Sequence, residues 1–142
     1  MEINASKERL EAYKTALRDN HLDVDERLVA KGNFKQETGY EAAKILLQLQ
    51  QPPSAIFASN DFSAFGAMDA IREAGLRIPE DISVIGFDDI PQASLTYPKL
   101  TTVRQPLQEM GKVAVKLLLG QIQDPQTVAQ QVTLETQLII RD

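Results

Sequence analysis

Two short apolar runs, SAIFAS (Ser54 to Ser59) and ISVIGF (Ile82 to Phe87), are separated by a stretch with helical period. This alternation constrains the fold more than any other feature of the chain. A continuous apolar run suits a strand buried on both faces, and such strands occur in parallel sheets covered by helices. Between the runs, Asp61 is expected to cap a helix from Phe62 to about Ala74, ended by Gly75. Upstream, Thr38 to Gln50 also carries the helical period, and Pro52-Pro53 stops it. Arg27 to Gly32 (RLVAKG) reads as a short strand. Ser6 to Asn20, with Leu10, Tyr13 (or Ala12) and Leu17 among charges, reads as an amphipathic helix. The order is βαβα, and the fold class is α/β, a parallel sheet with helices on both faces.

The rhythm breaks after Asp89. Ile90 to Thr102 contains two prolines and no sustained period, so it reads as a crossing segment rather than an ordinary loop. Pro106 then opens a strong helix with Leu107, Met110, Ala114, Leu117 and Leu118 on one face and Gly120 at its end. The leucines Leu117 to Leu119 read as core. VTLETQLII, Val132 to Ile140, alternates like strands with one wet face. Residues 1–90 and 106–125 therefore serve two different sheets.

The 142 residues suffice for one ordinary domain, and 43% hydrophobic with 25% charged residues is the balance of a globular protein. A net charge of -5 argues against a general basic surface for nucleic acid. Any DNA contact must be supplied elsewhere. No cysteine is present, which removes disulfides and thiolate metal sites and fits a reducing cytoplasm. No apolar run approaches the roughly 20 residues of a membrane span.

Ligands of open parallel sheets bind outside the carboxyl ends of the strands. Three runs end there in GNF (Gly32 to Phe34), SND (Ser59 to Asp61) and FDD (Phe87 to Asp89). One rim is thus expected to carry the ring of Phe34, the amide of Asn60 and the carboxylate of Asp88 or Asp89. Amide and carboxylate pair with hydroxyls while a ring covers a C–H face, so the set suits a neutral polyol or another small polar ligand. Neighbours on an extended strand point to opposite sides, so Asp88 and Asp89 make a poor acid/base couple. Asp61, Asp88 and Asp89 around Mg²⁺, as in receiver-like domains, is a weaker reading, because no lysine stands beside them. No nucleophile elbow, P-loop or zinc spacing occurs, so the expectation is a binder with no catalytic residue, metal or cofactor.

The combination SND, the Gly66-Ala67-Met68 helix, GLRIPEDISVIGFDD and LTTVRQ resembles the C-terminal half of the effector-binding domain of LacI/GalR-family transcription regulators. The resemblance extends back through GNFKQETGYEAAKILL and RLEAYKTAL and covers essentially the whole chain. It implies an incomplete periplasmic-binding-protein-like fold of type I. Residues 1–90 then form the C-terminal subdomain without its first strand, 91–105 the crossing between subdomains, 106–126 a helix and connection of the N-terminal subdomain, and 127–142 strands returning to the C-terminal one. It also implies ligand contacts at Arg9, Phe34, Asn60, Asp88 and Gln105. Arg9 lies in RLEAY, where the family's R-L-x-G-[FYW] pattern has a glycine in place of Ala12. By the same resemblance Phe62, Phe65 and Leu95 lie on a dimer surface.

Plain structural readings compete with each assignment. Arg9 competes with an exposed helix charge; Phe34, Phe62, Phe65 and Leu95 compete with packing; His21 reads as solvated. Alternation points the two aspartates to opposite sides; the resemblance gives Asp88 to the ligand, which leaves Asp89 to anchor the turn. The first helix has no strand before it. In a sheet of order 2-1-3-4 that strand would lie between those near Arg27 and Ser54, so the expectation is a C-terminal fragment with weak or no effector affinity. The implied protein is a cytoplasmic homodimer that senses a small sugar or similar metabolite and binds DNA through a headpiece outside this chain, without membrane contact. The alternative is a periplasmic sugar-binding protein of a transporter.

Overall fold

The computed structural model describes residues 4–141. One sheet of order β1-β2-β3-β4 is formed by Ala55–Phe57 (β1), Ser83–Asp88 (β2), Thr101–Arg104 (β3) and Gln137–Ile139 (β4). The first three strands are parallel, with Ile56 opposite Val84 and Gly86 opposite Thr102. β4 runs antiparallel to β3, so the sheet is mixed. Four α-helices accompany it: Asn4–Asp19 (α1), Gln36–Leu47 (α2), Asp61–Glu73 (α3) and Leu107–Gln123 (α4).

The core lies between α3 and one face of the sheet. Val84 and Ile56 point toward α3 and are buried with Ala64, Phe65, Met68 and Ile71 of that helix. Met68 and Ile71 are fully buried, and each such side chain contributes about 1.5–3 kcal/mol against exposure. α2 packs on α3 through Ala43 and Leu46 and through two glycines. A Cβ on Gly66 would stand 2.0 Å from the Gln36 carbonyl oxygen, and one on Gly39 would stand 2.4 Å from that of Ser63. The two helices therefore touch backbone to backbone. α1 reaches the opposite face, where Arg9 lies over Phe87 of β2. Helices on both faces of the sheet agree with the expected fold class.

The segment read as a strand, Arg27 to Gly32, departs from expectation. Glu26–Leu28 is a single 3-10 turn, capped by Asp25, which accepts from the Arg27 N–H. Val29 is extended (φ -106°, ψ 106°) but no ladder follows. An extended segment becomes a strand only beside a partner, and the described residues supply none at that edge.

Within the stretch 91–105, expected to cross between subdomains, Pro91–Ser94 is a 3-10 turn and Thr101–Arg104 joins the sheet as β3. Thr102 is fully buried there and bonded to Asp61, which outweighs the missing apolar pattern. Of Val132 to Ile140 only Gln137–Ile139 pairs. α4 forms as expected but buries no residue: Leu118 and Leu119 are exposed, and the core reading of Leu117 to Leu119 fails among the described residues. A helical period reports that a face wants a partner, not that one is present.

Candidate functional site

The carboxyl ends of β1 and β2, with the turns that follow them, form a continuous polar rim. It begins at Asn60. The amide Oδ1 accepts from the Ser63 N–H at 2.9 Å and the Nδ2 donates to the Phe34 carbonyl at 3.0 Å. Asn60, extended at φ -157°, is thus the N-cap of α3, a role the sequence reading gave to Asp61. Its amide is largely spent on the chain, with one N–H and one carbonyl lone pair beyond those two bonds, and the residue is 8% exposed. Phe34, the residue it holds, adopts a left-handed backbone (φ 68°) and is half-buried.

Arg9 reaches the same edge from α1. Its Nη1 donates to the Ser59 carbonyl at 2.5 Å, and its guanidinium carbon lies 3.8 Å from the centre of the Phe87 ring. That stack is a cation–π contact, worth about 0.5–1 kcal/mol where exposed and more where dry. Arg9 is therefore engaged rather than a loose helix charge. Phe87 was not singled out from sequence, although alternation along β2 opposite buried Gly86 directs it to the α1 face.

The two aspartates take different partners, although neither is in the extended conformation that the alternation argument assumes. Asp88 Oδ1 accepts from Gln105 Nε2 at 2.5 Å, which joins two of the five candidate ligand residues. Asp89 turns away. Its Oδ1 accepts from Arg141 Nη2 and its Oδ2 from Arg104 Nε, both at 2.6 Å, and its side chain is 5% exposed. Burial alone would raise its pKa, but the hydrogen bonds and charges of Arg141 and Arg104 outweigh that and hold the carboxyl below the ordinary carboxylate range. Both aspartates have positive φ, 115° and 56°, so the strand ends in two successive left-handed residues.

Asp61 stands behind the rim, 1% exposed. Its Oδ1 accepts from Thr102 Oγ1 at 2.6 Å and its Oδ2 from the Ile90 N–H at 2.8 Å. Burial pushes its carboxyl upward; the two hydrogen bonds pull down, and the charges of Asp88 and Asp89 add to the rise. Asp61 and Asp89 are thus committed to protein donors. Among the described residues no group of three or more acidic or histidine side chains is placed to hold a metal ion.

The five candidate ligand residues are Arg9, Phe34, Asn60, Asp88 and Gln105, and hydrogen bonds, one ring contact and chain adjacency link them in a single run. The run passes from Phe34 to Asn60, through Ser59 to Arg9, over Phe87 to Asp88, and on to Gln105. Of the residues assigned to a dimer surface, Phe62 (45% exposed) and Leu95 (81%) are open, whereas Phe65 is 8% exposed and meets Phe62 edge to face at 6.2 Å. Phe62, Phe65 and Leu95 line one groove of about 320 Å³ beside Arg72.

Residues 3–142 match the periplasmic binding protein-like domain family. Among curated proteins, the chain is 41% identical over 140 residues to the probable HTH-type transcriptional repressor ExuR of Bacillus subtilis, covering 99% of this chain and 42% of that protein. It is also 41% identical over 133 residues to the HTH-type transcriptional repressor CytR of Escherichia coli, covering 94% and 39%. Among solved structures, a transcriptional regulator CelR–cellobiose complex matches with a TM-score of 0.91 at 36% identity, covering 94% of this chain and 41% of that one. A LacI-family regulator from Enterococcus faecium with bound ribose matches with a TM-score of 0.85 at 36% identity, covering 94% and 49%. The chain spans about two fifths of the length of these curated relatives. With its strand-end rim and its match across residues 3–142, the chain belongs to the periplasmic binding protein-like domain family and is part of an effector-binding domain of the LacI/GalR type.

Proposed function

We propose that this chain is the effector-sensing and dimerising portion of a transcription regulator, and that it binds a small sugar or similar polar metabolite at the rim. The observation that carries this is the contiguous set Arg9, Asn60, Asp88 and Gln105 at the carboxyl ends of β1 and β2, beside the rings of Phe34 and Phe87. A guanidinium, an amide and a carboxylate grip hydroxyls from several directions, and rings cover the apolar face of a sugar. Matching regulators solved with cellobiose and with ribose support the sugar class.

Binding, not catalysis, is the chemistry on offer. Asp88 is engaged by an amide, Asp89 by two guanidiniums and Asp61 by Thr102 and the Ile90 N–H, so among these described carboxylates none forms a free pair for acid/base work. DNA contact belongs to a headpiece outside these residues, and the acidic chain itself contributes none. The regulator works as a cytoplasmic homodimer paired through the groove beside Phe62 and Leu95. Effector shifts its balance between two arrangements by binding one better. Repressor relatives favour this over a periplasmic transport protein.

The test is a reporter gene repressed by the full-length regulator and exposed to a panel of pentoses, hexoses and disaccharides. One sugar is expected to change expression, and Asp88→Ala to remove that response while repression in the absence of sugar persists. An unchanged response would take Asp88 out of the site; silence toward every sugar would discard the sugar class.

A further inference from the structure

Asp61 is the one carboxylate of the described core that is almost wholly buried without a cationic partner. The space it occupies exists because β2 has a glycine there: a Cβ on Gly86 would stand 2.3 Å from Asp61 Oδ1. Its two oxygens are directed to two different elements. Thr102 Oγ1 on β3 donates to one, and the N–H of Ile90 donates to the other. Ile90 directly follows Asp88 and Asp89, the two residues with left-handed backbone.

Left-handed conformations at non-glycine residues persist only where their surroundings over-determine them. Three successive residues of this turn are held by side chains from β3 and its end, from beyond β4, and from α3. Gln105, just past β3, holds Asp88; Arg104 and Arg141, on β3 and beyond β4, hold Asp89; Asp61, the first residue of α3, holds Ile90. Only the last of these links the turn to a helix. α3 is also the element whose second residue, Phe62, stands exposed at the groove with Leu95.

We propose that Asp61 is a positioning residue: through Ile90 it fixes where Asp88 presents its carboxylate at the rim, and ties that placement to the helix that carries Phe62. The proposal rests on the reading of Asp88 as an effector contact. A core carboxylate that only fills space would leave Asp88 where it is when removed. A positioning one would not.

The test is solution NMR of the full 142-residue chain without ligand, following the Ile90 amide and the side-chain amide of Gln105, which reports the contact with Asp88. Methyl signals of Met68 and Ile71 monitor the core. Asp61→Ala is expected to speed Ile90 amide exchange by about tenfold or more and to move the Gln105 side-chain signals toward those of a free amide. Asp61→Asn keeps an acceptor for Ile90 and is expected to restore both. Thr102→Val keeps the shape but removes the donor that aims Asp61, and is expected to give the same Gln105 movement to a smaller degree. Gln105 signals at their wild-type positions in folded Asp61→Ala would overturn the proposal, as would failure of Asp61→Asn to restore them. If Asp61→Ala does not fold, an unmoved Gln105 in Thr102→Val overturns it alone. No sugar enters this experiment, so its failure is separate from failure of the reporter test of Asp88.

Discussion

Removing Asp89 leaves the partly buried Arg141 without its counterion, and the two guanidiniums that hold Asp89 differ in a way that sets the magnitude. The Arg141 side chain is 14% exposed and that of Arg104 is 51% exposed, against 5% for Asp89. Breaking a buried ion pair by deleting one partner costs about 3–5 kcal/mol, whereas an exposed pair contributes about 0–1 kcal/mol. Asp89→Ala is therefore expected to cost about 3–4 kcal/mol, Arg141→Ala about 3 kcal/mol, and Arg104→Ala under about 1 kcal/mol. The Arg141 figure includes its bond to the Leu100 carbonyl at 2.7 Å. At roughly 3 °C per kcal/mol for a chain of this size, Asp89→Ala lowers Tm by ~10 °C. Urea denaturation followed by circular dichroism measures all three, and Asp89→Ala/Arg141→Ala should fall short of the sum by about 2 kcal/mol because both remove one pair. Asp89 has its pKa depressed in the fold, so its contribution is fully present above the unfolded carboxylate value and is lost as pH falls through the lower folded value. Asp89→Asn should flatten that acid limb. Equal costs for Arg104→Ala and Arg141→Ala, or an unaltered acid limb, would refute the assignment of burial as the deciding factor.

Three further outcomes are expected. Gly66→Ala forces α2 off α3, because the new Cβ meets the Gln36 carbonyl oxygen at 2.0 Å and the Tyr40 nitrogen at 2.5 Å; it should cost about 3 kcal/mol in urea titration, whereas Gly111→Ala, with nothing within 4 Å, should be neutral or stabilising. Leu95→Asp, at a residue 81% exposed, should change stability by under about 0.5 kcal/mol yet weaken self-association in sedimentation velocity; unchanged sedimentation would remove Leu95 from the dimer surface. Arg9→Lys keeps the charge but loses the flat stack on Phe87, and should cost about 1 kcal/mol and loosen α1 in hydrogen exchange, a result that an exposed helix charge would not give.

Local chemistry made much of the fold legible. Apolar runs located β1 and β2, and Pro52-Pro53 and Gly75 bounded α2 and α3. What stayed hidden depends on neighbours. Whether Asn60 or Asp61 caps α3 turns on the space at Gly86, which admits the Asp61 carboxylate and leaves the cap to Asn60. The strand expected from Arg27 has the residues of a strand but no partner to receive it. The stack of Arg9 on Phe87 joins positions 78 residues apart, and no local pattern marks it. Arg104 and Arg141 were likewise invisible as a pair, because only the antiparallel return of β4 brings them to one carboxylate.

The backbone at Asp88 also bears on how such a site diversifies. At φ 115° every residue with a Cβ is strained, β-branched and bulky ones most, and only glycine adopts that backbone freely. Changes of ligand preference therefore have little room at position 88 itself. They have more at Gln105, which lies just past β3, and at Arg9, which projects from a regular helix. A library built to retarget this rim gains most from randomising those two positions while leaving the turn untouched.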